Sequence, residues 1–264
     1  MSTGETTSLT GVTPKREDPF RYGWRYLQRG DEYVQIPLRL EDLLHPLEGD
    51  HVTQSDLHSE ICTYLKGVFS KVVSADPHAV VLFDNRIEWD DPALGAYGPD
   101  LAVIFGVREH KNWSTFRIAE EGVGPTLIVE VTSPDTCIND RNAKYNAYQL
   151  AGVPFYVIVD LVARRKEPVP RLAAYTLTSG GYQPLLPDER GRLWLEPLRI
   201  WLLLDDGEVV CEDEQGHPFP DYVEIGEELS AAQQQLQDAN ARAAAAEEQL
   251  QALQAELRRL RGES

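Results

Sequence analysis

Two carboxylates stand where charge is expensive, and the chemistry they suggest is the holding of a divalent cation. Glu130 interrupts Thr126-Leu127-Ile128-Val129-Glu130-Val131-Thr132, an apolar, β-branched run of strand length followed by Pro134. That pattern belongs to a strand buried on both faces. A carboxylate in such a strand must be paired, protonated or bound to a metal, because an isolated buried charge is strongly unfavourable. Upstream, Gly98-Pro99-Asp100 opens a second apolar run, Leu101-Ala102-Val103-Ile104-Phe105, so two neighbouring strands are expected to present one acid each. Mg²⁺ prefers oxygen ligands and is commonly held by one or two carboxylates plus waters and substrate phosphate. Asp100 and Glu130 can supply that site, with the Val131 backbone carbonyl as a further oxygen. A metal so held polarises a phosphodiester and lowers the pKa of its bound water, and a nearby cation steadies charge developing on phosphorus.

The elements that must position these residues are legible as an α/β alternation. Leu40 to Pro46 reads as a short helix stopped before proline. Leu57, Ile61, Leu65 and Val68 recur at helical spacing from Ser55 to about Ser70, with Ser55 as N-cap. Val80–Phe83 is a short strand ended by Asp84-Asn85; a loop rich in Asp, Pro and Gly leads to the strand after Asp100, and residues 107–124 form a polar segment broken by Gly122 and Gly124. After the Glu130 strand, Asp135-Thr136 offers caps for a helix from about Ile138 to Ala151, stopped by Gly152. Phe155–Asp160 is the next buried strand, with Asp160 at its end as a turn cap. Strand, strand, helix, strand implies a mixed sheet with a crossover helix. Arg164-Arg165-Lys166 marks a basic turn, and Arg171–Leu177 with the Gly180-Gly181 turn reads as an antiparallel extension. Leu193–Leu204 is a last apolar stretch.

Composition narrows the class. The 264-residue chain carries a formal charge of −18, which weighs against tight nonspecific binding to a polyanion. Ten acidic residues and no Lys or Arg lie between Asp205 and Glu228, leaving about −8 for the rest, and acidic metal pockets carry negative charge of their own. The three cysteines, Cys62, Cys137 and Cys211, are widely spaced, which suits a reducing compartment and gives neither a disulfide framework nor a zinc spacing. No apolar run is of membrane-spanning length, and Met1 to Thr13 is small and polar. A cytoplasmic protein with no membrane partner is expected. The aromatic and basic residues Phe20, Tyr22, Trp24, Arg25 and Tyr26 fit packing of an N-terminal arm better than base stacking.

The C-terminal stretch is the most regular. Leu229, Leu236, Ala243, Leu250 and Leu257 fall on one heptad position, and Ala232, Ala239, Ala246, Leu253 and Leu260 on the other. Such a repeat is the signature of a coiled coil, and a self-associating tail makes the protein a dimer or higher oligomer. The bland alternative is a lone solvated helix.

Pro99-Asp100, Glu130-Val131-Thr132-Ser133-Pro134-Asp135-Thr136, Asp140, Lys144, Tyr148, Gly152-Val153, Tyr156 and Asp160 together resemble the Uma-type restriction-endonuclease family, part of the PD-(D/E)XK nuclease superfamily. The similarity runs from about residue 35 to 205. It implies a restriction-endonuclease-like mixed central sheet flanked by helices, a DNA substrate, Mg²⁺ or Mn²⁺ as cofactor, and Asp100 and Glu130 as metal ligands. One departure stands out: two residues after Glu130, where the superfamily has lysine, this sequence has Thr132. In the family the cation comes from the following helix, where Lys144 matches. Asp140, Lys144 and Tyr148 share a helix face at i, i+4, i+8, so Lys144 can be directed at the metal; the competing role is a surface salt bridge to Asp140. The resemblance also offers Glu60 as an accessory carboxylate, against a plain solvated position. His58 is left two roles: contact with substrate or metal water, or a hydrogen-bonded structural histidine. Tyr148 and Tyr156 read as core aromatics.

The expected organisation is thus an N-terminal arm (1–34), a restriction-endonuclease-like domain (35–204), an acidic linker (205–225) and a coiled coil (226–262). The expected function is Mg²⁺-dependent DNA phosphodiester hydrolysis by Asp100, Glu130 and Lys144. One rival is a noncatalytic nuclease-fold interaction module that oligomerises through its tail, motivated by the acidic balance and the missing Glu-x-Lys lysine; another is a buried structural network of Asp100, Glu130 and Lys144, which direct ion pairing would mark.

Overall fold

The computed structural model describes residues 18–261 except 31, 40, 43–46, 48, 92, 95, 133–136 and 165–166, together with the backbone but not the side chains of 137–141, 163–164 and 167. The expected helix at 40–46 falls mostly outside the described residues, as do Ser133 to Thr136 and the side chains of Cys137 and Asp140.

A six-stranded mixed sheet forms the centre, as the alternation of apolar runs requires. Its strands are β4 (Ala79–Phe83), β7 (Leu101–Phe105), β9 (Pro125–Thr132), β10 (Phe155–Arg164), β11 (Glu167–Thr178) and β12 (Gly181–Pro184), in the spatial order β12-β11-β10-β9-β7-β4. Only β9 and β10 run parallel; the other neighbours are antiparallel. The parallel pair needs a crossover, supplied by helix α3 (Cys137–Leu150), which Gly152 ends in the left-handed conformation at φ 76°. β10 continues past Asp160 to Arg164. Asp160 is therefore an interior strand residue and not a turn cap.

Each sheet face carries its own core. Helix α1 (Asp56–Val73) lays Ile61, Cys62, Leu65, Val68 and Phe69 on Leu101, Val103, Leu127, Val129, Val157 and Val159. On the other face Ala147 and Tyr148 of α3 pack with Ala102, Ile104, Ile128, Tyr156 and Ile158. The alternation follows from the two-residue period of a strand. The loops read from sequence as irregular hold a small sheet, β5 (Arg86–Glu88), β6 (Ala96–Tyr97) and β8 (Thr115–Arg117), and the single-turn helix α2 (Ile118–Glu121).

The acidic stretch 205–225 is not simply a linker. Strands β13 (Leu193–Leu195), β14 (Ile200–Asp205) and β15 (Glu208–Glu212) form one antiparallel sheet. The β14–β15 turn is Asp206-Gly207, both with positive φ, the arrangement that two-residue hairpins favour. Val209 and Cys211 are buried in the α1 core. The Tyr64 hydroxyl of α1 donates to the Phe219 carbonyl at 3.0 Å and accepts from the Cys211 amide at 2.9 Å, so the segment is fastened to the domain. At the other end of the chain, β1 (Gly23–Arg29), β2 (Glu32–Pro37) and β3 (His51–Val52) form a further sheet. There Trp24 stacks on His51 and Arg25 pairs with Asp42 and Asp50, which makes the aromatic and basic patch part of packed structure. Among the described residues, no helix is long and apolar enough to cross a membrane.

Helix α4 (Tyr222–Arg261) runs for 40 residues with no buried side chain.

Ser55 caps α1 by accepting the His58 amide at 3.2 Å. Ser55→Ala is expected to cost about 1 kcal/mol, seen as a lower urea midpoint with an unchanged m value.

Candidate active site

Strand register places the acids. Leu101 pairs with Phe83 of β4 on one side and with Val129 of β9 on the other. One residue further out, the same register sets Asp84, Asp100 and Glu130 in a row across three adjacent strands. The Asp84 amide donates to the Asp100 carbonyl at 3.1 Å, which fixes the first two as neighbours. Exposure falls along the row: Asp84 is exposed, Asp100 is partly covered and Glu130 is 3% exposed.

Helices from both faces converge on this row. From α1, His58 Nε2 lies 3.2 Å from Asp100 Oδ1, while Asp100 Oδ2 accepts the Val131 amide at 2.7 Å. From α3, Lys144 Nζ donates to Glu130 Oε2 at 2.8 Å, and the Tyr148 hydroxyl donates to Glu130 Oε1 at 2.7 Å. The i, i+4 spacing of Lys144 and Tyr148 lets both reach one carboxylate. Lys144 is itself buried, at 8% exposure, so its role is not that of a surface ion pair. Breaking a buried pair costs about 3–5 kcal/mol, which makes Glu130 and Lys144 mutually dependent.

The structure thus gathers Asp100, Glu130, Lys144 and His58. Val131 joins them through its amide; in an antiparallel pair a residue's N–H and C=O face the same neighbour, which turns its carbonyl to the Asp100 side as well. Glu60 is not gathered. It lies two positions after His58, about 200° around the helix, on the exposed side of α1.

Three residues with little or no assigned role at the level of sequence belong here. Asp84 extends the acid row. Tyr148 is the core aromatic expected, fully buried against Trp89, Tyr97 and Tyr156, yet its hydroxyl also holds Glu130. Cys62, one helical turn after His58, places a ligand atom within 4.8 Å of those of His58 and Asp100. At the position where the superfamily has lysine, the Thr132 hydroxyl donates to Asp160 Oδ1 at 2.9 Å.

Charges shape the titration of the site. Burial, then the charges of Asp100, Glu130 and Asp84, hold the Cys62 thiol well above its ordinary range. It stays protonated at neutral pH, and a protonated thiol is a poor ligand. Packed protein around the Asp84 carboxyl, then the Asp100 charge, raise Asp84 although the residue as a whole is exposed; His58 and Lys144 oppose the shift. For His58, burial is the largest influence and disfavours the imidazolium, but the Asp100 hydrogen bond and the charges of Asp100, Glu130 and Asp84 outweigh it and raise the pKa.

A family model described as "Uma2: Putative restriction endonuclease" matches residues 31–204. The chain belongs to the Uma2 family. This Uma2 chain is also similar to a solved structure described as a putative nuclease belonging to DUF820, from Anabaena variabilis. The two are 18% identical, with 53% of this chain and 85% of that one covered, at a TM-score of 0.36. No curated protein matches it.

Because the folded-state pKa of His58 is raised, the His58–Asp100 contact in this Uma2 protein stabilises the fold in full below about pH 6.5, the ordinary imidazole value. That contribution is lost as pH rises through the folded-state value. His58 is expected to titrate above the ordinary range by NMR, and Asp100→Asn to bring it down; a His58 signal titrating below about 6.5 contradicts the assignment.

Proposed function

We propose that this Uma2 chain is a divalent-metal-dependent DNA endonuclease in which Asp100 and Glu130 hold Mg²⁺ or Mn²⁺. Hydrolysis adds water across one P–O bond, leaving a phosphate monoester and a hydroxyl. A bound Mg²⁺ supplies a polarised phosphoryl oxygen and a water acidified toward hydroxide. The donor set fits such an ion: carboxylates on neighbouring strands match a cation that prefers oxygen, and their mutual repulsion is relieved by one.

The chain's own residues do the rest. Lys144 carries an ammonium beside Glu130, where it can orient the attacking water or offset negative charge on phosphorus. Tyr148 fixes the other Glu130 oxygen, and His58 and the Val131 amide orient Asp100. The Val131 carbonyl is the further oxygen of the set. The observation that carries the reading is the opposition of Asp100 and Glu130 in the β7–β9 register, with Lys144 on the second acid.

One observation favours the rival, a noncatalytic interaction module. Both Asp100 oxygens and both Glu130 oxygens accept hydrogen bonds from protein groups, as in a purely structural network. Titration calorimetry with Mn²⁺ separates the two. A nuclease binds the ion and loses it in Asp100→Ala, whereas an interaction module gives no Asp100-dependent heat. In nicking assays on duplex and branched DNA with Mg²⁺ or Mn²⁺, Asp100→Ala and Glu130→Ala are expected to lose at least about a hundredfold in rate; wild-type activity in either overturns the assignment.

We further propose that residues 226–262 pair with a second copy of the chain. Leu229, Leu236, Leu250, Leu253, Leu257 and Leu260 are all more than half exposed on α4, an apolar seam that a partner helix would cover. Sedimentation should give a dimer or larger species at micromolar concentration, and a monomer there refutes the pairing.

A further inference from the structure

We infer that Asp84 is a third carboxylate ligand of the proposed metal site, contributed from the end of β4 at its solvent-exposed side. The inference rests on the reading of Asp100 and Glu130 as ligands and adds one residue to it.

Three observations converge on Asp84. The β4–β7 register places it directly across from Asp100, on the side away from Glu130, and neighbouring strands lie about 4.8 Å apart, within the span one cation can bridge. Its backbone is held at φ 54°, in the left-handed region that non-glycine residues seldom adopt. That conformation is secured by other groups: the Asn85 side chain accepts the Phe83 amide at 3.2 Å and donates to the Trp113 carbonyl at 2.6 Å. The turn therefore does not depend on the Asp84 carboxylate, which among the described residues makes no hydrogen bond or ion pair.

Placing a second acid against Asp100 is unfavourable without a cation, since like charges at this range repel. His58 and Lys144 offset it only from the Asp100 and Glu130 ends, where each is already engaged. A divalent ion between Asp84 and Asp100 compensates both. Of the three acids Asp84 is the most exposed, so the ion would sit toward solvent, where water and a phosphate group can complete its shell.

The test is Mn²⁺ affinity of the full-length protein by titration calorimetry, with activity as a second readout. Asp84→Asn keeps the shape and suits the left-handed backbone, and is expected to weaken Mn²⁺ binding at least about tenfold while raising the thermal midpoint in the absence of metal, because the repulsion from Asp100 is removed. Asp56→Asn, which removes a charge from an exposed position in the first turn of α1, controls for the general field and is expected to leave affinity unchanged. Wild-type affinity in Asp84→Asn, with binding lost in Asp100→Ala, overturns the role of Asp84 alone. Equal weakening by Asp56→Asn reduces it to a field effect and also overturns it. Absence of Asp100-dependent Mn²⁺ binding in the wild type overturns the underlying site and Asp84 with it.

Discussion

A charged carboxylate in the middle of a sheet has to be answered by another charge, and that requirement organises this molecule. Glu130 sits on β9 with β7 and β10 on either side and is almost fully buried. Desolvating an ion is so costly that its partners must be close, well directed and supported. Helix α3 provides them through Lys144 and Tyr148, one turn apart. The crossover that lets β9 and β10 run parallel thus also delivers the ammonium. With the cation coming from the helix, the strand position two residues on is released to Thr132 and its bond to Asp160.

Asp100 faces a milder version of the same problem. It stands just before β7 with 14% of its side chain exposed, and is steadied by one imidazole and one backbone amide. The two acids therefore differ in setting: one is locked by an ammonium and a phenol inside the protein, the other is held by an imidazole and a backbone amide and is less deeply buried. Asp84 continues the series outward. A gradient of this kind, from packed to wet, suits a group of acids that exchanges ligands with water at one end and keeps its geometry at the other.

Much of this was legible in the sequence because burial and charge conflict there openly. Apolar runs of strand length interrupted or opened by Glu130 and Asp100 gave the central strands, and the 3.6-residue spacing after Ser55 gave α1. Lys144 could be singled out only with the family pattern, since spacing alone favours a surface ion pair with Asp140. What stayed hidden had weaker signals. Asp84 follows a strand, as turn residues commonly do, and nothing local distinguishes an acid that turns the chain from one that completes a row; the register of β4 on β7, a long-range property, does. β5, β6 and β8 are too short to show a period. The β14–β15 hairpin was masked by the charge around it, although Asp206-Gly207 between Leu203-Leu204 and Val209-Val210 carries the turn signal. Tyr148 was correctly a core aromatic, and its second duty depends on where Glu130 ends up.

The acids are gathered by two helices that lie on opposite sides of the sheet, each rooted in a separate hydrophobic layer. Condensation of one layer alone brings up His58 or Lys144, but never both. A nascent or partly melted chain consequently carries the acids without their escort, and the complete constellation exists only once both halves have closed. Assembly of this centre is in that sense a report on the integrity of the whole domain, read out at a single edge.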